Sequence, residues 1–308
     1  MKAKVYKSTG SWYLVKTPEG ISWNARIKGI FKIEGITSTN PLAVGDEVEI
    51  EPEDGSRERA VIQSIQPRKN EINRQSPSTR SQHHVVAANL DQALLICTLK
   101  EPRTSRGFVD RFLVACEAYH IPAVIVLNKI DLYGKKEQAT EESWRSVYTK
   151  VGYAFLPTSL PQGRGLEAFR QCLEGRITLL CGHSGVGKSS LINQISPTLS
   201  LKTHSVSGWS GKGIHTTTFA EMFDLPFGGQ IIDIPGLREF GLVDISPQEL
   251  SHYFPEMRSR IGSCRFNNCL HVNEPGCAIK KALEEGIISE DRYVSYCNIL
   301  ETLGSPAY

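Results

Sequence analysis

Eight residues of this chain, from Gly182 to Ser189, have the types and spacing needed to bind the phosphates of a nucleotide. They follow the apolar run at 177–181, which has the character of a strand, and they precede a helix-forming segment. Glycines allow backbone N–H groups to turn toward phosphates, and the following helix would aim its positive end at them. Lys188 would reach the β- and γ-phosphates, and Ser189 would hold Mg²⁺ through its hydroxyl. The predicted phosphate-binding residues are Gly182, His183, Ser184, Gly185, Val186, Gly187, Lys188, Ser189 and Ser190.

A second group of polar residues predicts recognition of guanine. Asn128, Lys129 and Asp131 stand directly after the apolar run at 123–127. At the end of a strand, the Asp131 carboxylate can accept hydrogen bonds from the guanine ring N–H and the exocyclic amine. Adenine lacks this pair of donors, so a buried, unpaired carboxylate would cost roughly 1–3 kcal/mol against ATP. Lys129 can lay its stem over the base, and Asn128 can fix the flanking loops. Thr158 and Ser159, after the next strand-like run, fit the loop that closes over the edge of the base.

Two further segments predict the groups that respond to the γ-phosphate. Threonines occupy 216–218 in a polar loop that contains glycine, and one of them, taken as Thr217, is expected to be a second Mg²⁺ ligand. The strand-like segment at 230–236 ends in an Asp-x-x-Gly motif that begins at Asp233. Asp233 would hold Mg²⁺ through water, and the N–H of Gly236 would contact the γ-phosphate.

The order of these motifs is informative. A conventional GTPase runs from the phosphate loop through the threonine switch and Asp-x-x-Gly to Asn-Lys-x-Asp. Here the guanine motif at 128–131 precedes the phosphate loop at 182–189. The same parallel, doubly wound sheet can be built from a circularly permuted chain if the helix near 166–173 joins the old ends.

The C-terminal region predicts a metal site. Cys264, Cys269, His271 and Cys277 offer three thiolates and one imidazole, as a tetrahedral structural Zn²⁺ site requires. All four positions are filled by protein, so no place is left for a substrate water. Around them, between 258 and 281, five basic residues and one acidic residue give a local net charge of +4.

Composition and length describe a multi-domain protein of the reduced cytoplasm. The net charge of the 308 residues is only +2, so any nucleic-acid signal must be local. The eight cysteines are scattered apart from the cluster near His271, unlike the pattern of a secreted protein. We find no signal peptide and no apolar run of membrane-spanning length.

The chain divides into four predicted parts. Residues 1–68 read as a small β-barrel of the OB-fold type, with alternating strands at 22–28, 46–51 and 60–65. Residues 69–90 form a basic linker, which is either solvated or in contact with phosphates. Residues 91–245 form the α/β GTPase domain, and residues 246–308 form a mainly helical zinc-binding domain.

With these residues in view, the chain resembles the circularly permuted, ribosome-dependent GTPases of bacteria known as the RsgA/YjeQ family. The resemblance covers the barrel, the permuted GTPase domain and the Cys-x4-Cys-x-His-x5-Cys motif. It implies a monomeric maturation factor that binds the small (30S) ribosomal subunit and its 16S rRNA, with GTP hydrolysis stimulated by that subunit. The family's His-Thr-Thr-Thr switch is present from His215 onward, although Ile214 stands where the family usually has a basic residue.

The usual motif for the catalytic group is absent from this chain. Many GTPases place a glutamine after Asp-x-x-Gly to orient the attacking water, whereas this chain has Leu237. His215 is the nearest polar candidate for that role, with Lys188 and Thr217 as the other predicted catalytic residues. Two other classes stay open at this point, a P-loop enzyme such as a small-molecule kinase and a non-catalytic RNA-binding module gated by nucleotide.

Overall fold

In the computed structural model, the chain forms an N-terminal barrel, a central α/β domain and a C-terminal helical region. One sheet of eleven strands runs through the barrel and the central domain. The structure describes residues 1–27, 41–53, 56, 58–75, 83–199, 201, 220–234, 242 and 245–304. The strands are β1 Lys2–Ser8, β2 Tyr13–Lys16, β3 Ser22–Ile27, β4 Glu47–Pro52, β5 Arg59–Ile65, β6 Glu71–Gln75, β7 His83–Ala88, β8 Gln92–Cys97, β9 Ala123–Leu127, β10 Ala154–Pro157, β11 Ile177–Cys181, β12 Glu221–Asp224 and β13 Gln230–Asp233. The helices are α1 Arg106–Ala118, α2 Lys135–Lys150, α3 Leu166–Leu173, α4 Lys188–Ile195, α5 Pro255–Arg258, α6 Ala278–Glu284 and α7 Glu290–Gly304. Within these described ranges, no helix is long and apolar enough to cross a membrane.

The first five strands form the N-terminal barrel. They are hydrogen-bonded in the order β1-β2-β3-β5-β4, and β4 pairs again with β1, which closes the sheet on itself. Alternate residues such as Val5, Val15 and Ile62 are fully buried inside, because successive side chains of a strand point to opposite faces. The predicted small β-barrel is confirmed, and the structure shows that it has five strands.

The sequence prediction missed four strands in and beside this barrel. Lys2–Ser8 carries three lysines and therefore has a polar character, yet Ala3 and Val5 alternate with them and fill the core. In the segment predicted as a basic linker, β6 and β7 form a two-stranded antiparallel sheet. Arg68 holds this sheet to the barrel, since its guanidinium donates to Asp46 at 2.6 Å and to Glu71 at 2.7 Å. The boundaries of the four predicted parts stay a prediction.

The central sheet positions the candidate site. Its order is β10-β9-β8-β11-β13-β12, with every pair parallel except β12, which runs antiparallel at the edge. Helices α1 and α2 pack on one face through Phe112 and Trp144, and α3 and α4 pack on the other through Phe169 and Leu191. Both faces are covered, so β8 is buried along its whole length.

The permuted order is confirmed by this topology. Strands β8, β9 and β10 come first in the chain and lie on one side of β11, which leads into the phosphate loop. Strands β12 and β13 come later and lie on its other side. The helix predicted near 166–173 is α3, and it connects β10 to β11.

The C-terminal region is mainly helical, as predicted. A short 3-10 turn at Leu250–Tyr253 and helices α5, α6 and α7 bury a small apolar core that includes Leu250, Phe254, Met257 and Tyr296. Val114 of α1 belongs to the same core, so this region packs directly on the GTPase domain.

Candidate nucleotide-binding site and metal centre

The phosphate loop leaves β11 and enters α4 through two glycines that no other residue could replace without strain. Gly182 has φ +137°, and a Cβ there would lie 2.1 Å from the carbonyl oxygen of Ile96 in β8. Gly187 has φ +96°, and a Cβ there would lie 2.5 Å from Nδ2 of Asn128. The loop is therefore pressed against its neighbours, and glycine is required both for conformation and for space.

Lys188 begins α4, and its side chain turns back across the loop. Its Nζ donates to the carbonyl oxygens of Gly182 at 2.7 Å and His183 at 2.9 Å. Burial lowers the pKa of this ammonium, while the nearby Asp233 carboxylate acts in the opposite direction. An ammonium in this position can also donate to phosphate oxygens brought into the loop.

Asp233 lies at the end of β13, beside the strand that carries the phosphate loop. It is in register with Leu180 of β11. Burial raises the pKa of its carboxyl, and Lys188 partly offsets that effect. A carboxylate withdrawn from water next to a phosphate loop is suited to a cation, because a cation restores the lost solvation.

Asn128 joins the base-reading segment to the phosphate loop. Its fully enclosed amide donates from Nδ2 to the carbonyl of Val186 at 2.9 Å, and its Oδ1 accepts from Oγ1 of Thr158 at 3.0 Å. One buried side chain therefore connects loops that follow three strands, β9, β10 and β11. The amide therefore links the flanking loops, and its part in nucleotide binding stays a prediction.

Lys129 and Asp131 lie on either side of a sharp turn after β9. Lys129 adopts a left-handed backbone conformation with φ +59°, and its Nζ donates to the carbonyl of Glu101. Oδ1 of Asp131 accepts from the hydroxyl of Ser159 at 2.7 Å. The half-buried carboxylate is thereby held in one orientation at the edge of the sheet where the phosphate loop also lies.

Two residues that sequence reasoning missed support this site. The buried hydroxyl of Tyr133 donates to the carbonyl of Asn128 at 2.8 Å and accepts from the N–H of Leu99 at 2.9 Å. The ring of Phe108, in α1, lies against the imidazole of His183 with 3.9 Å between ring centroids. Tyr133 could have been noticed in the sequence, because it is an aromatic residue two positions after Asp131. Phe108 could not, because it is far in the chain from the phosphate loop that it contacts.

His183 also faces a groove that reaches the C-terminal domain. A cavity of about 520 Å³ lies between α1 and α7, with His183, Phe108 and Ile299 among the residues that line it. Arg111 of α1 donates across it to the hydroxyl of Thr302 at 3.2 Å. The phosphate loop therefore contacts α1, and α1 in turn contacts α7.

The structure brings most of the predicted nucleotide residues together at one edge of the sheet. Strands β9, β10, β11 and β13 are parallel, so the residues that follow or end them share that edge. Three predicted residues lie outside the described part of the chain, namely His215, Thr217 and Gly236. Their assigned roles stay predictions.

The predicted metal ligands converge in the C-terminal domain. The ligand atoms of Cys264, Cys269, His271 and Cys277 all lie within 4.8 Å of one another. Nδ1 of His271 is 3.6 Å from Sγ of Cys264 and 3.4 Å from Sγ of Cys277, and these two sulfurs are 4.0 Å apart. A tetrahedral zinc ion requires sulfurs about 3.8 Å apart and sulfur–nitrogen distances of about 3.6 Å. The cluster can therefore hold a metal ion, and its dimensions fit zinc.

Groups outside the cluster hold its loops in place. The carboxylate of Glu274 accepts from the N–H groups of Leu270, Val272 and Asn273 at 2.7, 2.9 and 3.1 Å. From α7, the hydroxyl of Tyr293 donates to the carbonyl of His271 at 2.7 Å. Such second contacts orient the side chains that ligate a metal.

Comparison with known proteins gives one consistent result. The family profile described as the RsgA GTPase matches residues 65–243, and that described as the RsgA N-terminal domain matches residues 2–61. A protein of Bacteroides fragilis named small ribosomal subunit biogenesis GTPase RsgA is 48% identical over 302 residues, which cover 98% of this chain and 96% of that protein. A protein of the same name from Cytophaga hutchinsonii is 49% identical over 300 residues, covering 97% of this chain and 98% of the relative.

Solved structures agree with the sequence relatives. The crystal structure of YjeQ from Thermotoga maritima matches with a TM-score of 0.81 at 33% identity, covering 99% of both chains. That of YloQ, described as a circularly permuted GTPase, matches with a TM-score of 0.75 at 30% identity, covering 100% of this chain and 96% of the other. These matches extend over the barrel, the permuted sheet and the cysteine-rich region, and the chain therefore belongs to the RsgA family of circularly permuted GTPases.

Proposed function

We propose that this GTPase hydrolyses GTP to GDP and phosphate during late maturation of the small (30S) ribosomal subunit. The observation that carries the proposal is the link made by Asn128, which joins a guanine-reading loop to a phosphate loop through one buried amide. Relatives that carry the name of a small ribosomal subunit biogenesis GTPase are about half identical to this chain along nearly its whole length. The partner is then the 30S subunit, with 16S rRNA as the contacted surface.

Each nucleotide residue has a role that follows from its chemistry. The backbone N–H groups of residues 182–190 surround the phosphates, and Lys188 neutralises the charge between the β- and γ-phosphates. Asp131, oriented by Ser159, accepts two hydrogen bonds from guanine, and the stem of Lys129 covers the base. Thr158 acts indirectly, because it holds Asn128 rather than the nucleotide.

Two metal ions belong to the proposal. Ser189, Thr217 and Asp233 would hold Mg²⁺, which neutralises charge on the β- and γ-phosphate oxygens. Zinc would occupy the Cys264–Cys269–His271–Cys277 cluster in a structural role, because four protein ligands leave no open position. The protein acts as a monomer in the cytoplasm, where thiol ligands stay reduced.

The nucleotide state is expected to control subunit binding. In the GTP state the barrel, the basic linker at 69–90 and the zinc domain hold the subunit, and hydrolysis releases it. The test is co-sedimentation with purified 30S subunits in a non-hydrolysable GTP analogue and in GDP. We expect retention with the analogue and loss with GDP, whereas equal retention in both would contradict the cycle.

The guanine assignment has a separate test at Asp131. Asp131→Asn replaces an acceptor by a donor and should move preference from GTP toward XTP. Nucleotide affinities measured by fluorescence competition report the change directly. If Asp131→Asn keeps its affinity for GTP and gains none for XTP, another residue recognises the base.

His215 is proposed to orient the attacking water. Leu237 follows the Asp-x-x-Gly motif and can neither donate nor accept a hydrogen bond, so another group must supply this role. A neutral imidazole in the threonine switch can accept a hydrogen bond from water. His215→Ala should bind GTP normally and lose most subunit-stimulated turnover. Turnover within about twofold of wild type, a barrier change of only ~0.4 kcal/mol, would exclude His215.

A further inference from the structure

The loop between the first two metal ligands presents an aromatic ring to solvent. Phe266 lies between Cys264 and Cys269 and is 42% exposed. The guanidinium carbon of Arg265 is 5.6 Å from the centroid of this ring, and Asn267 and Asn268 beside it are exposed as well. A large apolar ring left in water is not explained by the stability of the domain.

The backbone fixes the place of this ring. Both ends of the loop are metal ligands, and the N–H of Arg265 donates to the carbonyl of Gly276 at 3.1 Å. Gly276 has φ +71°, and a Cβ there would lie 3.2 Å from Cβ of Arg265, so the two segments are closely packed. A short, closely packed loop therefore presents the ring to solvent. Because this loop is already ordered, binding a ligand costs little conformational entropy.

The charge of this stretch of chain favours a polyanion. Of its five basic residues, Arg258 is paired with Glu117 and Lys281 with Glu285, while Arg265 is exposed and Arg260 and Lys280 are partly exposed. The one acidic residue between 258 and 281, Glu274, accepts from three backbone N–H groups. A flat apolar face beside a guanidinium and amide side chains is the combination that single-stranded nucleic acid recognises. A base stacks on the ring, the cation meets the adjacent phosphate, and amides can bond to the base edge.

We propose that Phe266 is a stacking platform for one unpaired RNA base, with Arg265 contacting the neighbouring phosphate. This inference rests on the proposed function, because it specifies how the zinc domain contacts RNA of the small subunit. The competing interpretation is that the ring contacts a protein. In that case its apolar area would be buried in the partner, and its flat π face would not matter.

Three variants of Phe266 separate these interpretations. Phe266→Ala and Phe266→Leu both remove the π face, but leucine keeps most of the apolar area. We expect both to weaken binding to 30S subunits in the GTP-analogue state by about five- to a hundredfold. Phe266→Trp should bind at least as tightly as wild type, and its added emission should be quenched by a single-stranded RNA oligonucleotide. Binding by Phe266→Leu at wild-type strength, without quenching of Phe266→Trp, would indicate protein contact and overturn the proposal.

Salt dependence distinguishes the roles of the two neighbours. Arg265→Ala should lower the slope of log affinity against log salt concentration by about 0.7, the value for one phosphate contact on a single strand. Phe266→Ala should lower affinity at every salt concentration and leave the slope unchanged. An unchanged slope in Arg265→Ala would remove the phosphate contact from the proposal.

The control is Ile287→Ala, in the turn between α6 and α7. Ile287 is 41% exposed and Phe266 is 42% exposed, so the two side chains are matched in exposure. Ile287 lies outside the metal-binding loop. It should bind subunits like wild type, and all variants should keep one zinc per chain. If wild type itself fails to bind subunits in either nucleotide state, the proposed function is wrong. If wild type binds and Phe266→Ala binds equally well, the stacking platform alone is wrong.

Discussion

The GTPase domain is joined to its two neighbours in different ways. On the barrel side, β1 extends the central sheet through β12, where Lys7 is in register with Glu221. The side chains that reinforce this junction are polar and partly exposed. Lys7 bridges Glu221 at 2.8 Å, and the hydroxyl of Tyr6 donates to Asp224 at 2.6 Å.

On the C-terminal side, the junction is buried. Arg292 of α7 donates to Asp110 of α1 at 2.6 Å and to Glu256 of α5 at 2.7 Å, and the three side chains are 1%, 0% and 6% exposed. The hydroxyl of Tyr148 also donates to Asp110, at 2.9 Å. The face of Phe254 lies 4.6 Å from the guanidinium carbon of Arg292.

This difference indicates which neighbour moves with the nucleotide site. Exposed ion pairs contribute about 0–1 kcal/mol each, so the Lys7–Glu221 pair adds little to the backbone pairing of β1 with β12. A buried charge that loses its partner costs several kcal/mol, so α7 cannot separate from α1 without a large penalty. Because α1 touches His183 through Phe108, the C-terminal domain and the phosphate loop belong to one packed unit.

The largest expected effect concerns the metal. Cys269→Ala should lose most of the bound zinc, since zinc binding contributes on the order of 10 kcal/mol to the folding of such loops. We expect new protease cuts to be confined to residues 259–276, because α7 stays anchored by Arg292. Limited proteolysis and zinc content are the measurements, and Cys297→Ala, a half-buried cysteine outside the cluster, is the matched control. Retention of one zinc and full protease resistance in Cys269→Ala would contradict the assignment.

The second-largest effect is expected when a substitution breaks the buried junction between α7 and α1. Arg292→Met leaves Asp110 and Glu256 buried without their cation, and should lower the free energy of unfolding by about 3–5 kcal/mol. Arg145→Met is the control, because it removes an i,i+4 pair with Glu141 on the surface of α2 and should cost less than about 0.5 kcal/mol. Urea denaturation measures both. Equal losses would show that burial does not distinguish the two ion pairs.

The smallest effect lies at the barrel junction. Tyr6→Phe removes a hydrogen bond to Asp224 and should lower the free energy of unfolding by about 1 kcal/mol. Burial alone would raise the pKa of Asp224, but hydrogen bonds from Lys16, Tyr6 and Gln230 outweigh it and lower that pKa below 3.8. The contribution of Asp224 is therefore complete above pH 3.8 and is lost as the pH falls below it. An effect of Tyr6→Phe as large as that of Arg292→Met would remove the contrast between the junctions.

The sequence predicted the parts of the site whose residues are close together in the chain. Lys188 and Asp131 stand in motifs of a few residues, and the predicted metal ligands lie between 264 and 277, so spacing alone was enough to propose them. The contacts that hold these groups come from distant positions. The carbonyl of Val186 meets Asn128 across 58 residues, and Arg292 meets Asp110 across 182.

The missed elements have a common physical cause. Strand β1 has lysines on its outward face, and its inward residues are recognisable only once the barrel closes around Val5. Arg292 has the character of a solvent-facing helix residue until Asp110 and Glu256 are placed against it. Tertiary contacts decide the burial of such residues, and local propensity carries no information about them.

In the proposed cycle, one site couples guanine recognition to GTP hydrolysis under the control of the small subunit. Multiple-turnover hydrolysis of GTP and of ATP, each with and without purified 30S subunits, tests it most directly, with Lys188→Ala as the inactive control. We expect slow hydrolysis of GTP by the protein alone and negligible hydrolysis of ATP. With subunits, the GTP rate should rise by at least about tenfold, equivalent to about 1.4 kcal/mol of barrier. Equal rates for ATP and GTP, or a GTP rate that subunits do not change, would contradict it.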